Sequence, residues 1–286
     1  MIFKMINSRE IPIQIACSLL NVGRRSYYNW THDNYSKNDN HLKNMIQKIA
    51  LSSPKYGYRR ITAELHRKNK IVNHKKVLKI MRENNLLCRS KKKFRITTTD
   101  SNHEYPTYPN LARDITLTGL NQLWVADITY VRLLKEYVYV AAIIDVFSRK
   151  CIGWDLSRMI DTALVLKALD MALTTRQHLG FAELVHHSDQ GVQYASHEYV
   201  DLLKELDIRI SMSRKGNPYD NAFAESFMKT LKAEEVYLKE YSTFEEAYDN
   251  IKEFIECVYN KKRLHSSIGY VPPEEYEMEI LKNKMS

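Results

Sequence analysis

The sequence predicts an α/β architecture, a mixed five-stranded sheet flanked by helices, preceded by a basic all-α region. Three observations carry this. Strand and helix patterns follow one another as βββ-α-β-α-β-α beyond about residue 119. Short helix-period apolar stripes fill the first ninety residues. Positive charge is concentrated in the later part of that helical region and just beyond it, from Arg59 to Arg95. The chain has 286 residues, room for two domains. At 44% hydrophobic and 27% charged it is not a wholly disordered chain. The longest apolar run, Tyr137 to Ile144, is far short of the ~20 residues of a membrane helix. Met1 to Ile6 shows no secretory leader pattern. Cys17, Cys88, Cys151 and Cys257 stand apart with no C-x-x-C pair, which argues against a disulfide framework or cysteine-built zinc site. A cytoplasmic compartment and no membrane partner are expected.

From the N-terminus, Ile13, Ala16, Cys17 and Leu20 form one helical stripe, Asn21-Val22-Gly23 a turn, and Arg24 to Trp30 a second short helix. Residues 1–36 thus read as a helical segment compatible with a helix-turn-helix. Leu42, Met45, Ile46 and Ile49 mark a separate helix over Asp39 to Leu51, stopped by Pro54. Tyr56-Gly57-Tyr58-Arg59-Arg60 opens another, to about Arg67. Asn73 N-caps a fourth, with Val77, Leu78, Ile80 and Met81 mostly inward.

From Arg59 to Arg95 there are 14 Lys and Arg against Glu64 and Glu83, a local balance of +12 in a chain of net +9. The remainder is therefore acidic, and the basic region is the footprint of a polyanion partner. Residues 37–89 read as a basic helix-turn-helix DNA-binding domain. Its expected contacts are Arg59, Arg60, Lys75, Lys76 and Lys79, joined by Lys91, Lys92 and Lys93 in a linker over 90–118. A merely solvated helix surface and a membrane surface are the rival readings. The poor apolar face of these helices disfavours the membrane.

The texture then changes. Leu123 to Leu133, Tyr137 to Phe147 and Lys150 to Leu156 read as an antiparallel meander. Asp161 caps an amphipathic helix to about Gln177. Strands over Glu183 to His187 and Ile208 to Met212 bracket a helix from Tyr199 to Leu206. Gly216-Asn217-Pro218 breaks the chain, and Asp220 or Asn221 opens a helix through about Lys232. This core spans 119–235. A helical extension over 236–286 has its last long helix starting after Ser242-Thr243, with Glu245 as a partial capping signal, and running to about Tyr259.

Three acids stand in unusual settings. Asp127 sits inside the apolar run Leu123 to Tyr130, where a charge is costly unless paired or metal-bound. Asp189 closes the fourth strand before Gly191, at a strand end where α/β sheets place ligands. Glu225 lies in the first turns of the helix after Asn221. Each has a plainer explanation: a buried ion pair, a turn residue, a helix-dipole partner. Together they can converge on one hard, all-oxygen site suited to Mg²⁺ or Mn²⁺. Asp145 is read as structural, pairing Arg149, and His187 as a packing or orienting residue.

The words around these acids carry a resemblance. Trp124-x-x-Asp127-Ile128-Thr129-Tyr130, Ile144-Asp145-x-Phe147-Ser148-Arg149, His187-Ser188-Asp189-Gln190-Gly191-x-Gln193-Tyr194 and Gly216-Asn217-Pro218-Tyr219-Asp220-Asn221-Ala222-x-Ala224-Glu225-Ser226 are four such words. They are similar to the second-reading-frame (OrfB) transposases of the IS-three family of bacterial insertion sequences. Tyr259-Asn260-x-x-Arg263-x-His265 and Tyr56-Gly57-Tyr58-Arg59-Arg60-Ile61 resemble that family's C-terminal end and helix-turn-helix segment. Asp127, Asp189 and Glu225, with 35 residues between the last two, resemble the DDE triad of the ribonuclease H-like transposase and integrase superfamily.

The resemblance implies a ribonuclease H-like core and a DNA transposase that cuts 3′ ends and joins strands. Its triad would bind two divalent ions, and Lys229 and Lys232 would contact DNA near the site, Lys232 being equally readable as a surface cation. It implies double-stranded DNA as partner, both terminal inverted repeats and target. It further implies a homo-oligomer on that DNA, association with the bacterial nucleoid, and dependence on an upstream reading-frame product. The His-His-Cys-Cys zinc cluster of retroviral integrases is missing from the sequence, so no zinc is expected. A ribonuclease H-like nuclease that only hydrolyses, and a DNA-binding regulator without catalysis, are the alternatives.

Overall fold

The computed structural model describes residues 12–88, 105–214 and 218–285. The chain divides into two compact units, Met1–Ser90 and Lys91–Ser286. In the first, helices α1 (Ile13–Leu19), α2 (Arg24–Ser52), α3 (Tyr58–Arg67) and α4 (His74–Glu83) follow in order. Ala16 and Cys17 of α1 bury against Tyr27 of α2. Ile46, Ile49, Tyr56, Ile61, Leu65, Val77, Ile80 and Met81 are the buried apolar residues of the rest. Asn73 caps α4 as expected, its side chain accepting from the Lys75 amide at 2.8 Å. One expectation fails. The two helices read over Arg24–Trp30 and Asp39–Leu51 are a single helix, α2. No Gly or Pro stands between Arg24 and Ser52, so the polar stretch between the stripes costs only tenths of a kcal/mol per residue as helix.

In the second unit, β1 (Leu123–Arg132), β2 (Tyr137–Asp145), β3 (Cys151–Ser157), β4 (Val185–Ser188) and β5 (Arg209–Met212) form one sheet. Its order is β3-β2-β1-β4-β5, antiparallel on the β1–β2–β3 side and parallel from β1 through β4 to β5. Helices α5 (Thr162–Arg176), α6 (Val192–Ala195) and α7 (His197–Glu205) alternate with the strands, and α8 (Ala222–Glu234) follows them. Both faces are covered, so β1 reads as a continuous apolar run whose alternate residues serve different cores. Trp124, Ala126 and Ile128 pack with α5 and α7. Leu123, Val125 and Val131 pack with Ala224, Phe227, Met228 and Leu231 of α8. At Gly153 of β3 an added Cβ would lie 2.1 Å from the Ala168 carbonyl, so only glycine lets α5 approach this closely. Residues ahead of β1 join the α8-side core through Ala112, Ile115 and Leu117.

The C-terminal region departs from expectation in detail. Helix α9 (Phe244–Glu253) runs into a π-helical turn, Phe254–Tyr259. Thr243 caps α9, and the reciprocal contact comes from Glu246, which accepts from the Ser242 amide at 2.7 Å, rather than from Glu245. A further helix, α10 (Pro273–Met285), lies beyond the one read as last, with proline at its first position. The fourth strand starts at Val185, because Glu183 adopts a left-handed φ of 62°.

Asp145 is structural, as expected, but its partner is not Arg149. The buried Arg176 at the end of α5 donates to Asp145 at 3.3 Å and to Glu277 of α10 at 3.2 Å. Amides of Asn121 and Phe147 donate to the same Asp145 carboxylate at 3.0 Å each. Arg149 instead lies over the Phe223 ring at 4.1 Å. Arg176→Leu would leave two buried carboxylates without their shared cation, a loss of roughly 3–5 kcal/mol. Scanning calorimetry should show the main transition falling by about 6–15 °C. A fall under about 2 °C would mean that the cluster contributes little.

Candidate active site

The three acids come from β1, the end of β4 and the start of α8, and the charges of the other two act on Asp127. Val125 of β1 is paired with His187 of β4 in a parallel ladder. Asp127 lies two residues further along β1 and Asp189 immediately follows β4, and the Asp189 charge acts on Asp127. Parity sets the face. Leu123, Val125 and Val185 belong to the core beneath α8, so Asp127 points to the side that α8 covers. Glu225 enters on the first turn of α8 itself.

Each acid is held by its own local structure. Asp127 Oδ1 accepts from the Ile128 amide at 2.8 Å. Asp189 Oδ1 accepts from the Gly191 amide at 3.0 Å, closing the turn after β4. A Cβ at Gly191 would stand 2.9 Å from that oxygen, so glycine there keeps space for the carboxylate. The start of α8 is tied to β1 by Asn221, whose buried side-chain amide donates to the Ala126 carbonyl at 2.8 Å. By sequence Asn221 is only one of two residues that can open the helix. Its side chain makes no cap and turns back to the strand. It therefore fixes Glu225 relative to Asp127, a role that no local pattern announces.

Charge is crowded here. The Asp127 carboxyl is partly buried and pushed up to about 8, first by desolvation, then by the Asp189 charge, with Glu225 adding to it. The Ile128 amide and Lys232 act in the opposite direction. Among the described residues, no three His, Cys, Asp or Glu side chains already stand close enough to hold a metal ion. The acids are neighbours in the electrostatic sense, with each turned to a local donor. Glu225 Oε2 takes the Lys229 ammonium at 2.6 Å. Three anions without a cation repel one another, and this arrangement relieves part of that repulsion.

Both expected site lysines face this acidic patch. Lys229 is exposed and paired with Glu225. Lys232 is partly buried, its ammonium 3.7 Å from the Tyr130 ring centre, and burial pulls it down to about 8 against the pull of Asp127. A purely surface role for Lys232 does not fit. His187 is buried, with its ring nitrogens 2.8 Å from Ser211 Oγ and 3.0 Å from Ser213 Oγ, and burial lowers it to about 4. It is a neutral packing residue between β4 and β5.

In the first unit, the side chains of Arg59 and Arg60 lie over the rings of Tyr58 and Tyr56. Lys75 is exposed at the start of α4. Lys76 pairs with Asp39 at 2.6 Å and Lys79 with Glu83 at 3.9 Å. Lys91, Lys92 and Lys93 lie outside the described residues.

The raised Asp127 carboxyl has a sign that can be tested. The folded chain holds a proton on Asp127 that the unfolded chain releases near pH 4, so the contribution of this carboxyl to stability falls as pH rises from about 4 to about 8. Asp127→Asn removes that liability. In chelator at pH 8 the variant should unfold about 3–6 °C above the parent, the gap closing toward pH 4. An equal or lower midpoint at pH 8 contradicts the crowding of charge.

An integrase core domain family matches residues 118–218, a second integrase core domain family 206–273, and an HTH-like domain family 37–94. The chain is 37% identical over 265 residues to the insertion element IS600 uncharacterized 31 kDa protein of Shigella sonnei, covering 91% of this chain and 96% of that one. It is 33% identical over 277 residues to transposase InsF for insertion sequence IS3A of Escherichia coli strain K12, covering 94% of each. Among solved structures, a simian T-cell lymphotropic virus intasome in complex with PP2A regulatory subunit B56 gamma aligns at TM-score 0.46. The identity there is 16%, over 81% of this chain and 74% of that one.

Proposed function

The chain belongs to the IS3 family of insertion-sequence transposases, and from that membership we propose that Asp127, Asp189 and Glu225 are its catalytic residues and hold two divalent cations, Mg²⁺ or Mn²⁺. The protein is a DNA transposase, a polynucleotidyl transferase with an integrase core. The observation that supports the triad is that Asp189, just past β4, and Glu225, on α8, both act electrostatically on Asp127 of β1 and raise its proton affinity. The donor set fits a hard cation. It is all oxygen, and an added positive charge would relieve the repulsion that raises Asp127.

Bound there, the cations would stabilise the attacking and leaving oxygens of an in-line phosphoryl transfer. The protein's own groups prepare that step. Asp127 gives up its proton, and Glu225 turns from Lys229 to the centre. The released Lys229 ammonium is then available to a DNA phosphate. Lys232, held on Tyr130, keeps a positive charge at the edge of the acidic patch. Asn221 holds the α8 start on β1 while Glu225 moves. A water attacks the phosphodiester at the 3′ end of the element and frees its 3′-hydroxyl, which then attacks a second phosphodiester and displaces the 3′-oxygen of that strand, with no covalent protein intermediate.

The basic helical unit binds double-stranded DNA at the terminal inverted repeats, and the core receives both the cut end and the target. The reaction takes place in the cytoplasm at the nucleoid, on a DNA-bound homo-oligomer and with help from the upstream reading-frame product. Among the described residues no helix is long and apolar enough to cross a membrane.

Two tests bear on this reading. Asp127→Asn, Asp189→Asn and Glu225→Gln should each lower cleavage and strand joining of labelled element ends by roughly 10³-fold or more. DNA affinity should be largely retained. Near-parental activity in any one of them rejects that residue's assignment. Binding should weaken steeply with salt, and Lys75→Ala should reduce the log–log slope by about 1 at every DNA sequence tested. An unchanged slope removes Lys75 from the phosphate contacts.

A further inference from the structure

Tyr194 lies on α6, just past the Gly191 turn, and is 3% exposed. Its ring packs edge-on against Tyr199 with centroids 5.5 Å apart. The Tyr199 hydroxyl is satisfied, 2.9 Å from His186 Nε2. The Tyr194 hydroxyl is buried and, among the described residues, has no hydrogen-bond partner. Leaving such a group unpaired costs about 1–3 kcal/mol, which phenylalanine would avoid. Its surroundings give the hydroxyl a purpose. Burial and Tyr199 raise its proton affinity, and the charges of Asp189 and then Asp127 raise it further, so both carboxylates lie within electrostatic reach. The phenol stays protonated and is a donor, while the carboxylates are acceptors.

We propose that Tyr194 is a positioning residue of the acidic centre, its O–H donating to the Asp189 carboxylate when the cations are bound and so fixing the oxygen that faces the metal. Asp189 is favoured over Asp127 because it shares the Gly191 turn with Tyr194 and acts on it more strongly. The inference rests on the triad reading above. Groups in this outer position change metal affinity by roughly 10–100-fold in well-studied sites.

The test uses the full-length chain and Tyr194→Phe, with Asp189→Asn in parallel. Mn²⁺ is titrated by calorimetry or by the free-ion resonance signal, and unfolding is followed separately in chelator. In chelator Tyr194→Phe should unfold at the parental temperature or slightly above it, because the lost hydroxyl had no partner. Its Mn²⁺ affinity should fall by about 10-fold or more. A residue that only fills space would leave the Mn²⁺ titration unchanged, and that result overturns the proposal. A clear drop in the unfolding temperature in chelator overturns it as well, since the hydroxyl would then be engaged without metal. Parental Mn²⁺ binding by Asp189→Asn would overturn the triad reading and this inference together. Normal loss in Asp189→Asn with parental binding in Tyr194→Phe overturns this inference alone.

Discussion

Negative charge held on one covered face of a sheet is the constraint around which this protein is arranged. Asp127 stands in the apolar centre of β1, beside Asp189 and under the helix that carries Glu225. Desolvation and like charge both oppose ionisation there. The surrounding structure limits this cost without removing it. Local amides hold Asp127 and Asp189, Lys229 holds Glu225, and Lys232 sets a positive charge nearby. An added positive charge there would offset that cost, which is the physical basis of the proposed cation site.

Asp145 shows what a structural acid looks like in the same sheet. It is fully buried, yet it meets a guanidinium and several backbone amides. The arginine comes from α5, and the second carboxylate that it holds comes from α10, so the cluster joins the sheet to the chain's last helix. The two acids thus differ in what surrounds them. Asp145 meets a full set of donors, whereas Asp127 meets two more acids. Burial and Glu277 also raise Asp145, but there a guanidinium acts in the opposite direction, whereas the other acids around Asp127 add to its burial.

The framework that places the site is mostly backbone. The parallel pairing of β1 with β4 aligns two of the acids, and the space at Gly191 admits one of them. Asn221 links α8 to β1 by a single side-chain hydrogen bond. His187, neutral and held between two serines, packs β4 onto β5 without adding charge beside Asp189. The lysines on α8 sit at the margin of the acidic patch, Lys229 paired with Glu225 and Lys232 within reach of the Asp127 charge.

Much of this was legible in the chain. Apolar alternation announced β1 to β3, Asn73 and Asp161 announced their helices, and the motifs around Asp127, Asp189 and Glu225 announced the family. These signals are local, because periodicity and capping depend on neighbours a few residues away. The continuity of α2 was hidden, since a polar stretch without glycine or proline reads equally as loop or helix. So were the Asp145–Arg176–Glu277 cluster, the Asn221 tie and the unpartnered Tyr194 hydroxyl, whose partners or surroundings lie far away in sequence. The sequence by itself determined the order of elements, the location of positive charge and the identities of the three acids. Tertiary structure alone decided which groups surround each acid, because strand register and helix docking set those distances and neither is written in any single segment.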